Sequence, residues 1–389
     1  MNAPRRNNNV VIVGAGPAGV CAAAAAAEAG AQATLIDSSP RPGGSVTAAL
    51  HRSLCGLYAC DPGDPRNTLN DSWQRALVER MLAHAPADVR LKQFGLAWVL
   101  EFPPAAWEAA LASLCAHPAI DQQMNARVTA VRRAGSRVEA IEVNGQWIET
   151  PTLIDCTGTG RVLELIGQDT MHPPDTSADR MLAGYGVRLS HIASSLELLR
   201  LQIPYFLAKA VLAGELPEVA RFTVFHPGPG DGEGVLKLAV HPCDSSDVEV
   251  QSLANSVLAT LRSSVPDFAI ARVVEQSPCV LPRDGRRLAG KYTLTEADVL
   301  TGQQLREDAV HAWWPAERWD AAKGPTYAYP PTGTHYDIPH ACLQSATVDN
   351  LLAAGNCISA TAMAAASSRA SGVCLATGAA AGRLAALRV

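Results

Sequence analysis

The residues whose types and spacing most clearly indicate chemistry are three glycines near the start of the chain, in the pattern Gly14-x-Gly16-x-x-Gly19. In this pattern the first glycine allows a tight turn, the second lets the backbone approach a phosphate, and the third lets a helix pack closely on a strand. Pro17 and Ala18 would open that helix, whose free N–H groups and positive dipole end attract phosphates. The spacing therefore predicts a dinucleotide pyrophosphate at these five residues.

The elements that must position these glycines appear in the expected order. An apolar run at 10–13 suits a strand buried on both faces, the alanine-rich segment 17–29 suits a helix, and 33–36 suits a second strand. The second strand ends in Asp37, 18 residues after the third glycine, where a ribose-binding acid is expected, and we add its neighbour Ser38 to the cofactor-binding candidates. Without this context the glycine pattern would be weak evidence, because glycine and alanine are common.

The composition is typical of a globular protein. At 389 residues and 48% hydrophobic content, the chain could form two domains or one large domain with an insertion. The net charge of −5 is small and there is no basic cluster, so we expect neither nucleic acid nor a membrane as a partner. We also expect no signal peptide and no transmembrane span, which predicts a cytoplasmic location.

Ten cysteines are scattered along the chain, with no Cys-x-x-Cys pair. Without an export signal they are expected to be reduced, mostly buried thiols. This spacing argues against a disulfide reductase and against iron–sulfur ligation. We therefore predict no metal site.

The segment after Asp37 resembles the FAD signature of glutathione-reductase-like flavoproteins, in which an acid is followed by two glycines. The matching residues here are Arg41, Gly43, Gly44 and Ser45. In that class the loop passes near the pyrophosphate and ribitol of FAD. The resemblance therefore adds these four residues to the cofactor-binding candidates.

Segment 121–154 alternates apolar and polar residues and has a hairpin signal at Asn144-Gly145, which predicts a three-stranded meander. Val128, in the first of these strands, is a further cofactor-binding candidate. The chain then continues through Cys156-Thr157-Gly158, which resembles the Ala-Thr-Gly element of the same FAD-binding class, with cysteine for alanine. The resemblance implies that these three residues pass near the adenosine half of FAD.

The predicted fold class is α/β, with a Rossmann-like FAD-binding domain that contains a parallel sheet and the meander, and with an inserted α+β substrate domain. We assign 1–166 and 333–389 to the FAD-binding domain and 167–332 to the substrate side. The middle segment has no second complete glycine pattern. We therefore expect no separate nicotinamide-binding domain.

The later part of the chain resembles the broad FAD-dependent oxidoreductase family through three motifs. They are Arg-Arg-x-x-Gly-x-Tyr-x-Leu-Thr-x-x-Asp at 286–298, Tyr-Asp-Ile-Pro at 336–339 and Asn-Leu-Leu-x-Ala-Gly at 350–355. The resemblance implies that Gly355 and Asn356 lie near the pyrophosphate or ribitol. It also implies that a helix opening at Gly372, Val373 and Cys374 has its N-terminus at the flavin N1 and C2 carbonyl, where its dipole stabilises anionic reduced flavin.

The chain departs from the family pattern on the polar side of the flavin, since His340 begins a segment where the family has Tyr-Arg-Cys-Leu. The candidates for catalysis are His335 and His340, which flank Tyr-Asp-Ile-Pro and could remove an N–H or O–H proton, with Arg286 and Tyr292 behind them. Arg286 could hold a substrate carboxylate. A structural role remains the alternative for each of these residues.

Together the residues and the resemblance predict an FAD-dependent oxidoreductase, a dehydrogenase or oxidase that takes a hydride from a small organic substrate at a C–N, C–O or C–C bond. Oxygen or a separate acceptor would reoxidise the flavin, and FAD would be noncovalent rather than linked to His51 or Cys55. One alternative is a flavin monooxygenase, disfavoured because the Gly-Asp pair expected near the flavin is Gly355-Asn356 here. Another is a noncatalytic FAD-binding subunit. The substrate and the oligomeric state stay open.

Overall fold

The computed structural model describes residues 9–60, 67–70, 73–167, 170–171, 180–193, 196–228, 232–242, 246–305 and 308–389. Its centre is a five-stranded parallel sheet. In spatial order its strands are Leu351–Ala353, Thr152–Asp155, Asn9–Val13, Gln32–Ile36 and Ile120–Gln123. With the antiparallel sheets described below, this sheet confirms the predicted α/β class.

Both faces of the parallel sheet are covered, as the apolar run at 10–13 predicts. Val10 and Ile12 lie in a core with a first helix, Pro17–Glu28, and a final helix, Ser371–Ala386. Val11 and Val13 alternate with them and pack on the opposite face against the meander. The loops at the ends of these strands are therefore fixed from two sides.

The first and final helices contact each other through small residues. Gly378 and Gly382 have no room for a side chain, because a Cβ atom would overlap the carbonyl oxygens of Ala18 and Ala22. Eleven of the 12 residues of the first helix are buried. Its alanine-rich composition thus follows from a close approach of two backbones as well as from helix propensity.

The predicted meander is present, with antiparallel strands Val128–Ala134, Arg137–Val143 and Gln146–Glu149. Asn144 and Gly145 both have positive φ, +48° and +81°, which confirms the predicted hairpin turn. The buried amide of Asn350 fastens the meander to the parallel sheet. Its Nδ2 donates to the Val138 carbonyl at 2.8 Å, and its Oδ1 accepts the Val138 N–H at 2.9 Å.

A second sheet has four antiparallel strands, in the spatial order Val224–Pro227, Gly234–Val240, Ala183–Ser190 and Arg272–Gln276. Helices Leu196–Leu212 and Asp247–Ser264 cover one face of it, where Leu236 and Leu238 are buried. Lys237 stands between these two leucines and therefore points to the opposite face.

On that opposite face the second sheet meets the chain that follows the predicted FAD signature. Gly186 is the register partner of Lys237, and a Cβ atom on Gly186 would lie 2.9 Å from the carbonyl oxygen of Ala49. The close approach requires a glycine at this point of the strand. It also brings Ala49, two residues before His51, onto the strand beside Lys237.

Shorter elements complete the described chain. The small sheets pair Ser53–Leu54 and Arg90–Phe94 with Ala97–Glu101, Ala309–Ala312 with Tyr336–Pro339, Ala316–Asp320 with Gly324–Ala328, and Thr170–Met171 with Arg287–Leu288. The remaining helices are Gly44–Ala48, Trp73–His84, Pro104–Cys115, Arg161–Ile166, Glu296–Leu300 and Ala362–Ser368, with 3₁₀ turns at Glu218–Phe222, Pro266–Phe268, His340–Leu343 and Gly355–Cys357. Within the described part of the chain, every helix is too short or too polar to cross a bilayer. The domain boundaries given above stay a prediction.

Candidate cofactor and active site

The glycine-rich loop has the tight geometry that its sequence predicts. Gly14 has a φ of +103°, and a Cβ atom there would overlap the main chain of Cys156. The Gly14 N–H donates to the Ile36 carbonyl at 2.7 Å. Gly19 lies directly on the Gly14 carbonyl, whose oxygen a Cβ atom on Gly19 would overlap. Both positions need glycine because the protein itself fills the space around them.

Gly16, in contrast, faces open space. Within 4 Å a Cβ atom there would meet only the Cα of Gly44, at an ordinary contact distance of 3.6 Å. Gly16 is the N-cap of the first helix, and no side chain of the described residues caps the N–H groups of the first turn. A half-exposed helix N-terminus with space in front of a glycine fits a pyrophosphate group. Pro17 and Ala18 form the first turn.

Asp37 lies beside this loop at the end of its strand. Its Oδ2 accepts the Ala15 N–H at 2.5 Å, and its Oδ1 accepts the Ser39 N–H at 2.7 Å. The carboxylate is half-exposed and keeps further lone pairs for a ribose hydroxyl, and Ser38 next to it is exposed. Arg41 has a different partner, since it forms an exposed salt bridge of 2.7 Å with Glu108.

The two glycines of the FAD signature lie directly on the glycine loop. The Gly43 N–H donates to the Ala15 carbonyl at 2.8 Å, and a Cβ atom on Gly44 would lie 2.6 Å from the Cα of Gly16. Both glycines have positive φ, +134° and +52°. Ser45 follows them as an exposed residue of the helix Gly44–Ala48. The fold thus brings the two predicted cofactor-binding segments into contact.

The Thr-Gly segment returns to the same edge of the parallel sheet. The Cys156 N–H donates to the Val13 carbonyl at 2.8 Å. Gly158 has a φ of +73°, and the space that its Cβ would occupy is open. Asn356 donates from Nδ2 to the Gly158 carbonyl at 2.7 Å. Asn356 therefore orients this loop, while Val128 is buried at the start of the meander.

A buried carboxylate that the sequence did not single out, Asp155, organises the Thr-Gly segment. It accepts the Thr157 N–H at 2.9 Å, the Thr157 hydroxyl at 2.7 Å and the Leu163 N–H at 3.0 Å. Burial raises the pKa of Asp155, and the hydrogen bonds from Thr157 oppose that shift. On the neighbouring strand, the Gly355 N–H donates to the Thr377 hydroxyl at 3.1 Å. The only sequence signal for Asp155 was its place at the end of a buried strand.

The N-terminus of the final helix is covered by segment 55–57. The Gly372 N–H donates to the Cys55 carbonyl at 2.7 Å, and a Cβ atom on Gly372 would lie 2.6 Å from the Gly56 carbonyl oxygen. Val373 and Cys374 are buried behind it. These contacts are with protein, so the predicted contact of this helix with the flavin ring stays a prediction.

His335 lies in a cluster with a second histidine and a carboxylate. Asp337 is buried, and its Oδ1 lies 2.8 Å from Nδ1 of His311 and 3.4 Å from Nε2 of His335. Burial lowers the pKa of His335, His311 lowers it further, and Asp337 opposes the shift. The donor atoms of the cluster lie within 4.8 Å of one another, so these three residues could hold a metal ion. The hydrogen bond between His311 and Asp337 and the longer contact of His335 account for the same geometry, and the prediction of no metal site stays a prediction.

The other catalytic candidates have different neighbours. His340 lines a small cavity with Arg383, and burial lowers its pKa. Tyr292 donates its hydroxyl to Asp298 at 3.0 Å. Arg286 lies at the Thr-Gly segment, since its N–H donates to the Thr159 carbonyl at 3.0 Å. The described contacts therefore do not bring the four predicted catalytic residues into one site.

The structure instead places an unpredicted pair where the chain after the FAD signature packs on the second sheet. Lys237 Nζ lies 2.9 Å from Nδ1 of His51, which follows the FAD signature. Burial lowers the pKa of His51 well below its usual value, and Lys237 lowers it further. Burial also lowers the pKa of Lys237 to about 8, with Arg283 adding to the shift and Cys55 opposing it. Such shifts are typical of functional sites.

Two arginines lie in the same region. Arg283 is stacked on the Trp319 ring, 4.0 Å from the ring centroid to the guanidinium carbon. Arg369 donates from Nη2 to the Glu317 carbonyl at 2.9 Å. Burial lowers the pKa of Arg283 to about 9, Arg369 lowers it further, and Glu317 opposes the shift. Sequence reasoning missed these residues because the sequence does not show that Arg283, three residues before the Arg286 motif, packs on Trp319, or that Arg369 contacts Glu317.

A model of the family described as "FAD dependent oxidoreductase" matches residues 9–389. The chain belongs to the FAD dependent oxidoreductase family. This confirms the predicted family and its cofactor, FAD, whereas the narrower assignment to the glutathione-reductase-like class stays a prediction. A search of curated protein sequences gave no match.

Among solved structures, this family member is similar to CabE, an aromatic hydroxylase from angucycline biosynthesis, with a TM-score of 0.46 at 16% identity over 73% of this chain and 54% of that one. It is also similar to the OxyS anhydrotetracycline hydroxylase of Streptomyces rimosus, with a TM-score of 0.46 at 19% identity over 73% of this chain and 54% of that one. A geranylgeranyl bacteriochlorophyll reductase-like protein of Thermoplasma acidophilum gives 0.47 at 12% identity, over 97% and 77%. The chain spans about half the length of the two hydroxylases.

Proposed function

We propose that this protein oxidises a small organic substrate by removing a hydride equivalent from a C–N, C–O or C–C bond, with Lys237 as the proton acceptor. The observation that carries the proposal is the contact of 2.9 Å between Lys237 Nζ and His51 Nδ1. FAD, when bound, accepts the electron pair that the substrate loses. The second hydrogen of the substrate leaves as a proton, which Lys237 Nζ takes.

The environment of Lys237 suits this role. Its strand neighbours Leu236 and Leu238 are buried on the other face, and the glycine opposite it, Gly186, allows the chain before His51 to approach the amine. Burial holds the pKa of Lys237 at about 8, so a substantial fraction of the amine is neutral near physiological pH. The neutral His51 ring accepts a hydrogen bond from Nζ and orients it.

The residues that would hold FAD are those around the glycine loop. Gly16 and the start of the first helix suit the pyrophosphate, Asp37 a ribose hydroxyl, and Thr157 with Gly158 the adenosine side. We propose a noncovalent cofactor because burial raises the pKa of the Cys55 thiol to about 12, which keeps the thiol protonated and unreactive.

Oxygen or a separate acceptor would take the electrons from the reduced cofactor. Nicotinamide is disfavoured because the sequence has one complete glycine pattern, and that pattern is proposed for FAD. Small molecules are thus the proposed partners on both sides of the reaction.

The test is anaerobic mixing of the purified flavoprotein with amines, amino acids, cyclic imines and hydroxy acids while the flavin absorbance is followed. We expect at least one class of compound to bleach the flavin of the parent protein rapidly. The same compound should bleach the flavin of Lys237→Met more slowly. Lys209→Met, an exposed lysine of the helix Leu196–Leu212, is the matched control and should keep the parental rate. Reduction by NADH or NADPH alone would instead favour a monooxygenase, and a flavin that no donor reduces would favour a noncatalytic role.

A further inference from the structure

We propose that the substrate carries a carboxylate group, which Arg283 and Arg369 bind beside Lys237. This inference rests on the proposed function, because it names the class of compound that is oxidised. It derives from the hydrogen-bond donors of two arginines that sequence reasoning did not select.

Arg283 is fixed on one side and open on the other. Its Nη1 donates to the Leu182 carbonyl, and its guanidinium lies over the Trp319 ring at 4.0 Å. The neighbouring strand residue is Gly184, where a Cβ atom would lie 3.5 Å from Nη2 of Arg283. With no side chain at Gly184, nothing from this strand caps that end of the guanidinium. Stacking and one hydrogen bond thus orient the group while leaving donors available.

Arg369 also has a donor without a protein acceptor. Its Nη2 donates to the Glu317 carbonyl at 2.9 Å, but its Nε is buried and has no hydrogen-bond partner. A buried donor without a partner costs free energy, so a native protein normally supplies one from water or a ligand. Arg369 comes two residues before the final helix, next to the segment that resembles the flavin contact of the family.

The charged groups near Lys237 do not pair directly with the two arginines. None of the ion pairs among the described residues involves Lys237, Arg283 or Arg369. Glu317 lies close enough to raise the pKa of Arg283 and Lys237, and its Oε1 accepts a hydrogen bond from Trp319. Asp284, which accepts the Met181 N–H, also raises the pKa of Arg283, so two carboxylates lie near the two arginines, and both already accept hydrogen bonds from other protein groups. The donors of the two guanidinium groups therefore stay available to an anionic ligand.

The anion that fits best is an organic carboxylate. A guanidinium presents planar paired donors that match the two oxygens of a carboxylate. The phosphates of FAD are proposed at the glycine loop, whereas the described contacts of the two arginines are with Leu182, Glu317, Trp319 and the thiol of Cys374. A carboxylate held there would bring the adjacent C–H and N–H or O–H bonds of the substrate towards Lys237.

The experiment titrates the oxidised holoprotein with benzoate and pentanoate, and with benzamide and pentanamide as uncharged matches, while the flavin spectrum is recorded. We expect saturable spectral changes with the acids, at least 10-fold weaker binding of the amides, and at least 10-fold weaker acid binding in Arg283→Met. Arg283→Lys keeps the charge but not the paired donors and should fall between. Arg272→Met, an exposed arginine of the same sheet, should bind like the parent.

Equal binding of acids and amides by the parent protein would overturn the proposal, and that comparison needs no variant to fold. The proposal would also be overturned if Arg283→Met shifted the flavin reduction potential but bound the acids like the parent. The arginines would then affect only the cofactor and not the binding of a carboxylate. The binding assay requires no turnover. If the acids bind but no compound tested reduces the flavin, only the proposed oxidation is refuted. Rapid reduction by neutral amines, with carboxylates inert and unbound, would refute only the carboxylate.

Discussion

Lys237 and His51 are 186 positions apart in the chain, and their side-chain nitrogens lie 2.9 Å apart where segment 49–51 packs on the second sheet. Because the neutral amine is the proposed proton acceptor, the rate of flavin reduction should rise as the pH increases through the Lys237 pKa of about 8. Lys237→Met should lose this rise and slow reduction by about 10²–10⁴-fold. Stopped-flow reduction at pH 6 to 9 measures both effects. A parental pH profile in the variant would assign the proton to another group.

Gly16→Val should abolish FAD binding without unfolding the protein. The first Cβ position is free of close protein contacts, with Gly44 at 3.6 Å, so the added methyl groups enter the space proposed for the pyrophosphate. The flavin absorbance after desalting measures the cofactor, and circular dichroism measures the fold. Ala29→Val, at the exposed C-terminal end of the same helix, is the control for added methyl groups. A yellow Gly16→Val protein with full flavin content would refute the assignment.

Gly378→Ala should lower the free energy of unfolding by about 1–3 kcal/mol. Alanine is the better helix former, but its Cβ would overlap the main-chain oxygen of Ala18, which cannot swing aside as a flexible side chain can. Urea unfolding, followed by circular dichroism, gives the difference from the parent. Arg383→Ala tests the same helix at an exposed position and should change little. Increased stability of Gly378→Ala would mean that the two helices can separate at small cost.

His335→Ala and His340→Ala should slow flavin reduction less than Lys237→Met does. His335 lies beside the buried Asp337, so removing it should lower the melting temperature by weakening that contact. His340 lines a separate cavity with Arg383. Stopped-flow reduction and thermal melting on the same samples separate the two roles. If either histidine variant loses about 10²–10⁴-fold in rate while keeping its melting temperature, that histidine is the base and the original sequence prediction is correct.

The sequence predicted the fold around the glycine loop and the meander well, because its signals are local. Glycines at fixed spacing, apolar strands and the Asn144-Gly145 turn each specify their own backbone, and the structure has the first helix at Pro17–Glu28 and the meander hairpin where they were expected. Arg41 matches the FAD signature, but its side chain forms a salt bridge with Glu108, which lies on a helix far along the chain. The motif alone could not predict that partner.

The substrate side could not be predicted in the same way. A lysine within Gly234–Val240 looks like an ordinary solvent-facing residue, and only the tertiary fold brings His51 to it. Arg283 likewise could not be selected from the sequence, because only the fold places its guanidinium on the Trp319 ring. His335 was selected from the sequence, but its neighbour His311 lies on a strand that the sequence did not reveal. These residues form one site only because the fold brings distant segments of the chain into contact.

The contact between Ala18 and Gly378 also determines when this protein can fold. The first helix is buried against the final one. It leaves the ribosome early, and its apolar surface cannot be fully covered until residues 371–386 have been made. Contacts of such long sequence separation also slow the folding of the finished chain. During synthesis the alanine-rich helix therefore stays partly uncovered until the final helix has been made, and conditions that shield apolar surface on the growing chain should raise the yield of this protein.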